Sequence, residues 1–175
     1  AWKNKGSTLD DLGKKEEALE CFDKAIELDP KDAEGWHNKG YMLDDLDKKE
    51  EAIKCFDKAI ELDPEDPYTW YNKGIVLYDL DRYEESLKCF DKAIELDPKD
   101  EDAWYNKGNT LRDLDKYEEA LKCLEKAIEL DPKFIGAWNN QVSLLDKLGR
   151  HDECVKLMDQ ALKSVKSEDI PRCVN

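Results

Sequence analysis

Six cysteines and two histidines are the residues whose chemistry could include metal binding, disulfide formation or proton transfer. Four cysteines recur at one constant interval, at Cys21, Cys55, Cys89 and Cys123. A disulfide needs Cα atoms within about 7 Å, and a zinc site needs four ligands around one point. Equivalent positions on successive packed repeats lie about 10 Å apart or more. The spacing therefore predicts partly buried, reduced thiols and a reducing compartment such as the cytoplasm.

Neither histidine has a nucleophile beside it in the sequence. His37 and His151 lie more than a hundred residues apart, and each occupies a position that other repeats fill with an aromatic residue. The chain also lacks a phosphate-binding glycine loop, a two-cysteine metal motif and a calcium loop. We therefore expect no catalytic, cofactor-binding or metal-binding residue. Cys154 and Cys173 fall outside the cysteine column, and the sequence leaves their pairing open.

Charge and hydropathy restrict the partners. The net charge is −15, and charged residues make up 41% of the chain. Such a chain is repelled by phosphate backbones and anionic lipids unless it carries a basic patch, and the sequence shows none. No apolar run approaches the ~18 residues of a membrane span, and no leader pattern is present. We expect neither nucleic acid nor membrane as a partner. Because the chain starts at Ala1 inside a repeat, we expect a fragment of a longer protein.

The elements that position these residues repeat at the same interval. Tryptophan marks the period five times, at Trp2, Trp36, Trp70, Trp104 and Trp138. Glycine follows it at Gly6, Gly40, Gly74 and Gly108, and proline closes the unit at Pro30, Pro64, Pro98 and Pro132. A fixed period of this length indicates an array of identical supersecondary units.

Each unit reads as two helices. In the third repeat, Asp66–Pro67 is a helix start, since aspartate accepts free amide hydrogens at the N-cap and proline suits the first turn. Apolar residues then recur at helical spacing, first from Trp70 and again from Leu87. Asp97–Pro98 ends the second helix because the residue before proline avoids helical geometry. The link around Asp81 is short, so the two helices must pack antiparallel.

This order of Trp, Gly, Ala, Phe and Pro, in a unit of about 34 residues, resembles the tetratricopeptide repeat family over essentially the whole chain. The resemblance implies an all-α fold, a right-handed superhelical solenoid of antiparallel helix pairs. We expect one solenoid over residues 1–166, with repeats at about 1–32, 33–66, 67–100, 101–134 and 135–166. The last repeat has lost Gly and Phe, so we expect a degenerate C-terminal cap, followed by a tail at 167–175.

The family resemblance also implies a binding groove lined by the first helix of each repeat. The groove-facing residues are then Tyr68, Tyr71, Ile75 and Tyr78 in the third repeat, Glu34, His37, Tyr41 and Asp44 in the second, and Asp102, Tyr105, Asn109 and Arg112 in the fourth. One asparagine column lies on the same side, at Asn4, Asn38, Asn72, Asn106 and Asn140. Asparagine can hold a peptide backbone or bond a neighbouring helix, and both interpretations stay open.

Two departures from the family pattern bear on packing. Lysine precedes the conserved glycine at Lys5, Lys39, Lys73 and Lys107, where the family has leucine. We expect looser packing there, or an ion pair with one of the many carboxylates. The turn between the helices carries Gly13 and Gly149 in the end repeats but Asp47, Asp81 and Asp115 between them.

These observations predict a non-catalytic scaffold that binds a protein or peptide in the groove. Aromatic residues at its centre and acidic ones toward its ends suit a basic, partly apolar segment. The clamp by which some family members hold a C-terminal carboxylate is poorly matched, since Ser7, Tyr68 and Asn72 stand where its residues belong. The alternatives are a structural, self-associating solenoid and the regulatory region of a larger enzyme.

Overall fold

A computed structural model describes the backbone of residues 1–166 and the side chains as far as Leu162. Within that range the chain forms ten α-helices and no strands. Their bounds are α1 Trp2–Asp11, α2 Lys15–Leu28, α3 Ala33–Asp45, α4 Lys49–Leu62, α5 Pro67–Asp79, α6 Tyr83–Leu96, α7 Glu101–Asp113, α8 Tyr117–Leu130, α9 Ile135–Lys147 and α10 His151–Lys166. The prediction of an all-α fold is confirmed. The predicted tail and Cys173 lie outside the described residues.

The helices pack in consecutive pairs, α1 with α2 through α9 with α10, and each pair contains one first and one second helix. By contacts the chain divides into two compact units. The first unit is Ala1–Pro98 and holds α1 to α6, and the second begins at Lys99 and holds α7 to α10. Inside each unit, the first helix of one pair also packs on the second helix of the pair before it.

Helix ends fall where the sequence places them. The Asp66 carboxylate caps α5 by accepting the amide hydrogens of Tyr68 and Thr69, and Pro67 occupies the first turn. Second helices stop one residue before the Asp–Pro pairs, as α4 does at Leu62. The indole N–H of the following tryptophan then donates to the proline carbonyl, as from Trp70 to Pro64 at 2.9 Å. The same bond runs from Trp36 to Pro30 and from Trp138 to Pro132, and in each case it ties a first helix to the end of the preceding second helix.

Glycine and phenylalanine form the closest contact within a pair. A Cβ atom on Gly40 would lie 2.8 Å from the ring of Phe56, closer than side chains tolerate. Only glycine therefore lets the two helices approach with a ring between them. The last pair has Val142 and Met158 at the equivalent positions. The two substitutions are complementary, because the β-branched side chain of Val142 leaves no room for a rigid aromatic ring at position 158.

The turns inside the pairs have left-handed backbone. Gly13 and Gly149 have φ near 70°, and Asp47, Asp81 and Asp115 have φ of 57° to 58°. Aspartate reaches this region at some cost, which is smaller than for most residues. At Asp81 the carboxylate accepts a hydrogen bond from Tyr83 Oη at 2.6 Å. Asp47 has a lysine, Lys49, where Asp81 has that tyrosine.

The cysteine column is buried, and its thiols form no disulfide. Cys21, Cys55, Cys89 and Cys123 all lie in the core, and half-buried Cys154 forms no disulfide either. Burial raises the pKa of Cys55 and of Cys89 to about 11, because a thiolate there would lose its hydration. The predicted burial of these four side chains is confirmed. At neutral pH both groups are protonated and poorly nucleophilic.

Residues 1–166 contain no helix that is both long enough and apolar enough to span a bilayer.

Candidate binding surface on the first helices

In the first unit, the predicted groove residues lie on α3 and α5, which contact each other directly. We call this surface the first-helix face, formed by Glu34, His37, Tyr41 and Asp44 on α3 and by Tyr68, Tyr71, Ile75 and Tyr78 on α5. The structure divides these residues into exposed side chains and side chains that pack against or bond to other residues of the protein.

Two tyrosines of the first-helix face are open to solvent. Tyr41 is 50% exposed and Tyr68 is 66% exposed. Large apolar side chains are normally covered in a folded domain, and exposed aromatic rings are the residues that binding surfaces use most. Both tyrosines lie on regular helices, and the well-packed backbone of these helices fixes where the two side chains begin.

His37 is instead part of a hydrogen-bond chain that links the second repeat to the third. The Thr69 hydroxyl donates to the Asp66 carboxylate, so its oxygen accepts from His37 Nδ1 at 2.7 Å. Asn72 Nδ2 approaches His37 Nε2 at 3.4 Å, where the ring nitrogen is an acceptor. These roles require the neutral ring with its proton on Nδ1.

Burial of the His37 ring explains why it stays neutral. Desolvation lowers its pKa, and the nearby Asp66 and Glu34 carboxylates offset this only in part. The ring also packs edge-on against Phe56, with centroids 5.8 Å apart. Tyr71 packs on Phe90 in the equivalent way at 6.0 Å. His37 therefore fills the aromatic position of its column, and its polar atoms are used between repeats.

The remaining residues of α5 are half-buried. Tyr71 covers the core ring of Phe90, and Tyr78 contacts Tyr83 with ring centroids 5.5 Å apart. Ile75 is half-buried as well. The rings of Tyr71 and Tyr78 therefore pack on aromatic side chains of α6.

In the second unit, Tyr105 and Asn109 hold the fourth repeat to the fifth. Asn140 Nδ2 donates to Asn109 Oδ1 at 2.6 Å and lies 3.2 Å from Tyr105 Oη. The Tyr105 ring packs on Phe134, with centroids 4.6 Å apart. Asn109 is buried, and Arg112 pairs with its neighbour Asp113 at 2.9 Å.

Of the two interpretations of the asparagine column, the structure shows bonds to neighbouring helices at two positions. Asn72 reaches His37 on α3, and Asn140 reaches α7. Asn106 donates to the Asp102 carbonyl in its own helix. Asn38 is half-buried.

The acidic residues of the surface are partly neutralised. The ammonium of Lys3 lies 2.5 Å from Glu34, whose side chain is still largely exposed, and 2.7 Å from Asp32. Lys49 bridges Asp44 and Asp79. In the second unit the pKa of Asp102 is raised, first by burial and then by the charges of Asp100, Glu101 and Asp131. The mutual repulsion of these acids would favour a cation beside them.

Two lysines of the column form ion pairs between repeats, which is one of the two expected outcomes. Lys39 lies 2.7 Å from Asp23 on the preceding second helix, and Lys73 lies 2.5 Å from Asp57. Each ammonium also stands over the tryptophan of its own helix, as Lys39 does over Trp36 at 5.8 Å. Sequence reasoning did not identify the aspartates. The signal was present, since the acid precedes its lysine by the same interval in both pairs.

Among the described side chains, no group of three or more His, Cys, Asp and Glu could hold a metal ion. His151 is exposed and lies 3.3 Å from Asp146. The surface can therefore offer aromatic rings, amides and carboxylates to a ligand.

Comparison with known proteins identifies the repeat. A family model of the tetratricopeptide repeat matches residues 1–32, 33–66, 67–100 and 101–134. Each match coincides with one of the first four helix pairs. A second model of the same repeat matches residues 123–156, which runs from α8 into α10 and is out of register with the fifth pair. Five repeats are therefore supported only roughly.

Solved structures share the fold. MamA from Desulfovibrio magneticus RS-1, residues 41 to the end, is 23% identical, with 97% of this chain and 96% of that one covered and a TM-score of 0.86. YrrB is 25% identical, with 95% and 86% covered and a TM-score of 0.79. PilF of Pseudomonas aeruginosa is 22% identical, with 93% and 74% covered and a TM-score of 0.82.

No curated protein sequence matches the chain. The repeat model nevertheless covers residues 1–134 of the 175, in register with the helix pairs. The protein therefore belongs to the tetratricopeptide repeat family.

Proposed function

We propose that the protein is a non-catalytic scaffold that binds a peptide or protein segment on its first-helix face. The observation that carries this proposal is the exposure of Tyr41 and Tyr68 on two contacting helices. Their neighbours His37, Tyr71 and Tyr78 have packing partners, so the face is rigid beneath them. A rigid surface with exposed aromatic rings loses little conformational entropy when a ligand binds.

Charge favours a basic, partly apolar segment. The protein carries a net charge of −15, which attracts cations over the whole surface. On the first-helix face Glu34 keeps an exposed carboxylate although it pairs with Lys3. In the second unit, Asp102 lies among other acids that raise its pKa. A lysine or arginine side chain of a ligand would relieve that repulsion. The same charge disfavours nucleic acid and anionic membranes.

A relative supports peptide binding. YrrB is described as a TPR protein with an unusual peptide-binding site, and it is 25% identical to this chain over most of both sequences. A non-catalytic scaffold role is also consistent with His37, because both of its ring nitrogens contact polar groups of the next repeat. The buried cysteines, which form no disulfide, suit a reducing compartment such as the cytoplasm.

The test is selection of peptides from a random library on the immobilised protein, followed by titration of the best binder. We expect basic peptides with at least one large apolar residue. Tyr41→Ala with Tyr68→Ala should weaken binding by about tenfold or more, as loss of an aromatic anchor does. Leu28→Ala is the matched control, because Leu28 is an equally exposed apolar side chain on a second helix. Acidic binders, or equal affinity for the double variant, would refute the proposal.

A further inference from the structure

The fifth repeat contains a cleft at a position that inner repeats occupy with a lysine side chain. The cleft has a volume of about 380 Å³ and is lined by residues of α8, α9 and α10, including Glu125 and Gln141. Gln141 is only 9% exposed, and no group in the described part of the chain donates a hydrogen bond to its Oε1 atom. A buried carbonyl oxygen without a donor costs free energy, so this oxygen favours a ligand that carries an N–H group.

The inner repeats show which group belongs at this position. Lys73 stands in the column of Gln141, and its ammonium lies 2.5 Å from Asp57. Asp57 in turn stands in the column of Glu125. The same lysine–aspartate pair, at 2.7 Å, occurs one repeat earlier. The fifth repeat has therefore kept the carboxylate and lost the ammonium.

The charged surroundings of the two positions are otherwise alike. At the cleft Arg150 pairs with Glu153. In the third repeat Arg82 pairs with Glu85 in the same columns. Because Lys73 binds its aspartate in these surroundings, the charges around the cleft also permit an ammonium there. Exposed lysines occupy two further columns at both positions, Lys122 and Lys156 at the cleft and Lys54 and Lys88 at the inner pair.

The walls of the cleft suit an alkyl chain. Each of the three helices contributes a leucine to the lining, at Leu121, Leu145 and Leu157. A lysine side chain lays its methylene groups on apolar surface of this kind and keeps its ammonium beside a charge or water. The cleft therefore combines an apolar wall, the exposed carboxylate of Glu125 and a carbonyl oxygen that needs a donor.

We propose that this cleft binds a primary alkylammonium group, which takes the place of the missing repeat lysine between Glu125 and Gln141. The ammonium donates to the Glu125 carboxylate and to Gln141 Oε1, which the soft last torsion of the glutamine side chain turns toward it. Free aliphatic amines and the lysine side chains of a partner protein both carry this group. The inference is independent of the proposed peptide binding, because none of the described residues that line the cleft belongs to the first-helix face.

The experiment is NMR of the ¹⁵N-labelled full chain, titrated with n-butylammonium at a salt concentration of about 150 mM, which screens non-specific attraction to the acidic surface. We expect saturable shifts of the Gln141 side-chain amide and of the backbone amides around Glu125. Tetramethylammonium is the matched probe, because it has the same charge but no N–H group, and it should leave these signals unchanged. A short blocked peptide with one lysine identifies the source. Competition with n-butylammonium indicates a protein lysine, and failure to compete indicates a free amine.

Substitutions test the two groups that hold the ammonium. Gln141→Lys should abolish binding, because its own ammonium would fill the cleft, and the restored ion pair keeps this variant folded. Glu125→Gln should weaken binding about tenfold or more, and Gln141→Met about fivefold. Lys73→Gln vacates the corresponding position in the third repeat, so it should add a second set of saturable shifts around Asp57.

The proposal is overturned if n-butylammonium leaves the signals of the cleft unchanged, or if tetramethylammonium shifts them equally. It is also overturned if Gln141→Lys binds n-butylammonium as the unsubstituted protein does. A folded Lys73→Gln variant without the second set of shifts would contradict the equivalence of the two positions. Circular dichroism verifies that each variant is folded.

Discussion

Two contacts between neighbouring repeats differ in the residues that they have at equivalent positions. One joins the second and third repeats in the first unit, and the other joins the fourth and fifth repeats in the second unit. In the first, Lys73 pairs with Asp57, and Gly40 admits the ring of Phe56 within the pair before it. In the second, Gln141 replaces the lysine, and Val142 replaces the glycine. The buried Gln141 Oε1 accepts no hydrogen bond from any described residue.

The difference shows which positions hold the array together. Glu125 stands where the inner repeats have the paired aspartate, and it forms no ion pair among the described residues. A cleft of about 380 Å³ lies between α8 and α10, lined by Glu125, Gln141 and residues around Arg150. The fifth repeat keeps the helices, the asparagine bond to α7 and an ion pair from Arg150 to Glu118 at 2.9 Å, but it lacks the lysine–aspartate pair and the glycine–phenylalanine contact of the inner repeats. Helix formation therefore does not depend on those two contacts.

The largest effect should come from the core rings. Phe56→Ala should lower the free energy of unfolding by about 3–5 kcal/mol, because Phe56 is fully buried and leaves a cavity. Met158→Ala, at the equivalent position of the last pair, should cost less than about 1 kcal/mol since half of its surface is already exposed. Urea unfolding at low protein concentration measures both. Equal losses would contradict the distinction between inner and last repeats.

Gly40→Ala should cost about 1–3 kcal/mol, because the new methyl group would lie 2.8 Å from a ring that cannot move aside. Gly108→Ala is the matched change in the second unit. Its nearest neighbour is the flexible Leu124 side chain at 3.1 Å, and alanine favours the helix. We expect little or no loss there. A larger loss at Gly108 than at Gly40, by thermal unfolding, would refute the role assigned to the ring.

Gln141→Lys should stabilise the fifth repeat by about 1–2 kcal/mol, since it restores an ammonium beside Glu125 and removes an unsatisfied carbonyl. Gln141→Met is the control that removes the carbonyl without adding charge, and it should gain less. The converse change, Lys39→Gln, should destabilise the first unit. Hydrogen exchange of α9 amides reports the gain locally, and unchanged exchange would argue against the missing ion pair.

His37 gives the first unit a pH dependence just below neutral pH. Its pKa is lowered in the folded protein, so its contribution to stability is complete above the ordinary value of 6.5. That contribution is lost as the pH falls through the lowered folded pKa, because the unfolded chain binds the proton more readily. His37→Tyr, the residue found at Tyr71 and Tyr105, should remove this part of the pH profile. Identical profiles between pH 7 and 5 would show that His37 is not held neutral.

The smallest effect is expected at the turns. Asp47→Gly should gain at most about 1 kcal/mol, because glycine adopts φ near 58° without strain but loses more chain entropy on folding. Asp81→Gly should gain less, since it also loses the bond from Tyr83. If Asp81→Gly were the more stable of the two variants in thermal unfolding, the hydrogen bond from Tyr83 to Asp81 would not contribute to stability.

Much of the fold could be predicted from the sequence because its determinants are local and recur. Asp66–Pro67 starts a helix wherever it stands, and the constant repeat spacing places Cys55 in the same environment as Cys21. The left-handed turns at Asp47, Asp81 and Asp115 follow from glycine at the same position in other repeats.

The sequence could not predict which residues of the candidate site are exposed and which are packed, because this depends on contacts between repeats. The bond from His37 to Thr69 joins two different repeats, and it exists only once α3 and α5 are in contact. Tyr41 and Tyr71 are both tyrosines on the predicted groove side. One is exposed and the other covers Phe90, and residue type alone does not distinguish them. The exposed apolar side chains of α10, at Val155, Met158 and Leu162, were not expected because the loss of repeat residues was interpreted as capping.

The central claim is that Tyr41 and Tyr68 contact a ligand while the other tyrosines pack against side chains of the protein itself. NMR of protein labelled on its seven tyrosine rings, titrated with the peptide selected above, tests it directly. We expect the ring signals of Tyr41 and Tyr68 to shift, with Tyr117 as an unaffected internal control. Saturating binding that leaves the signals of both Tyr41 and Tyr68 unchanged would contradict the account.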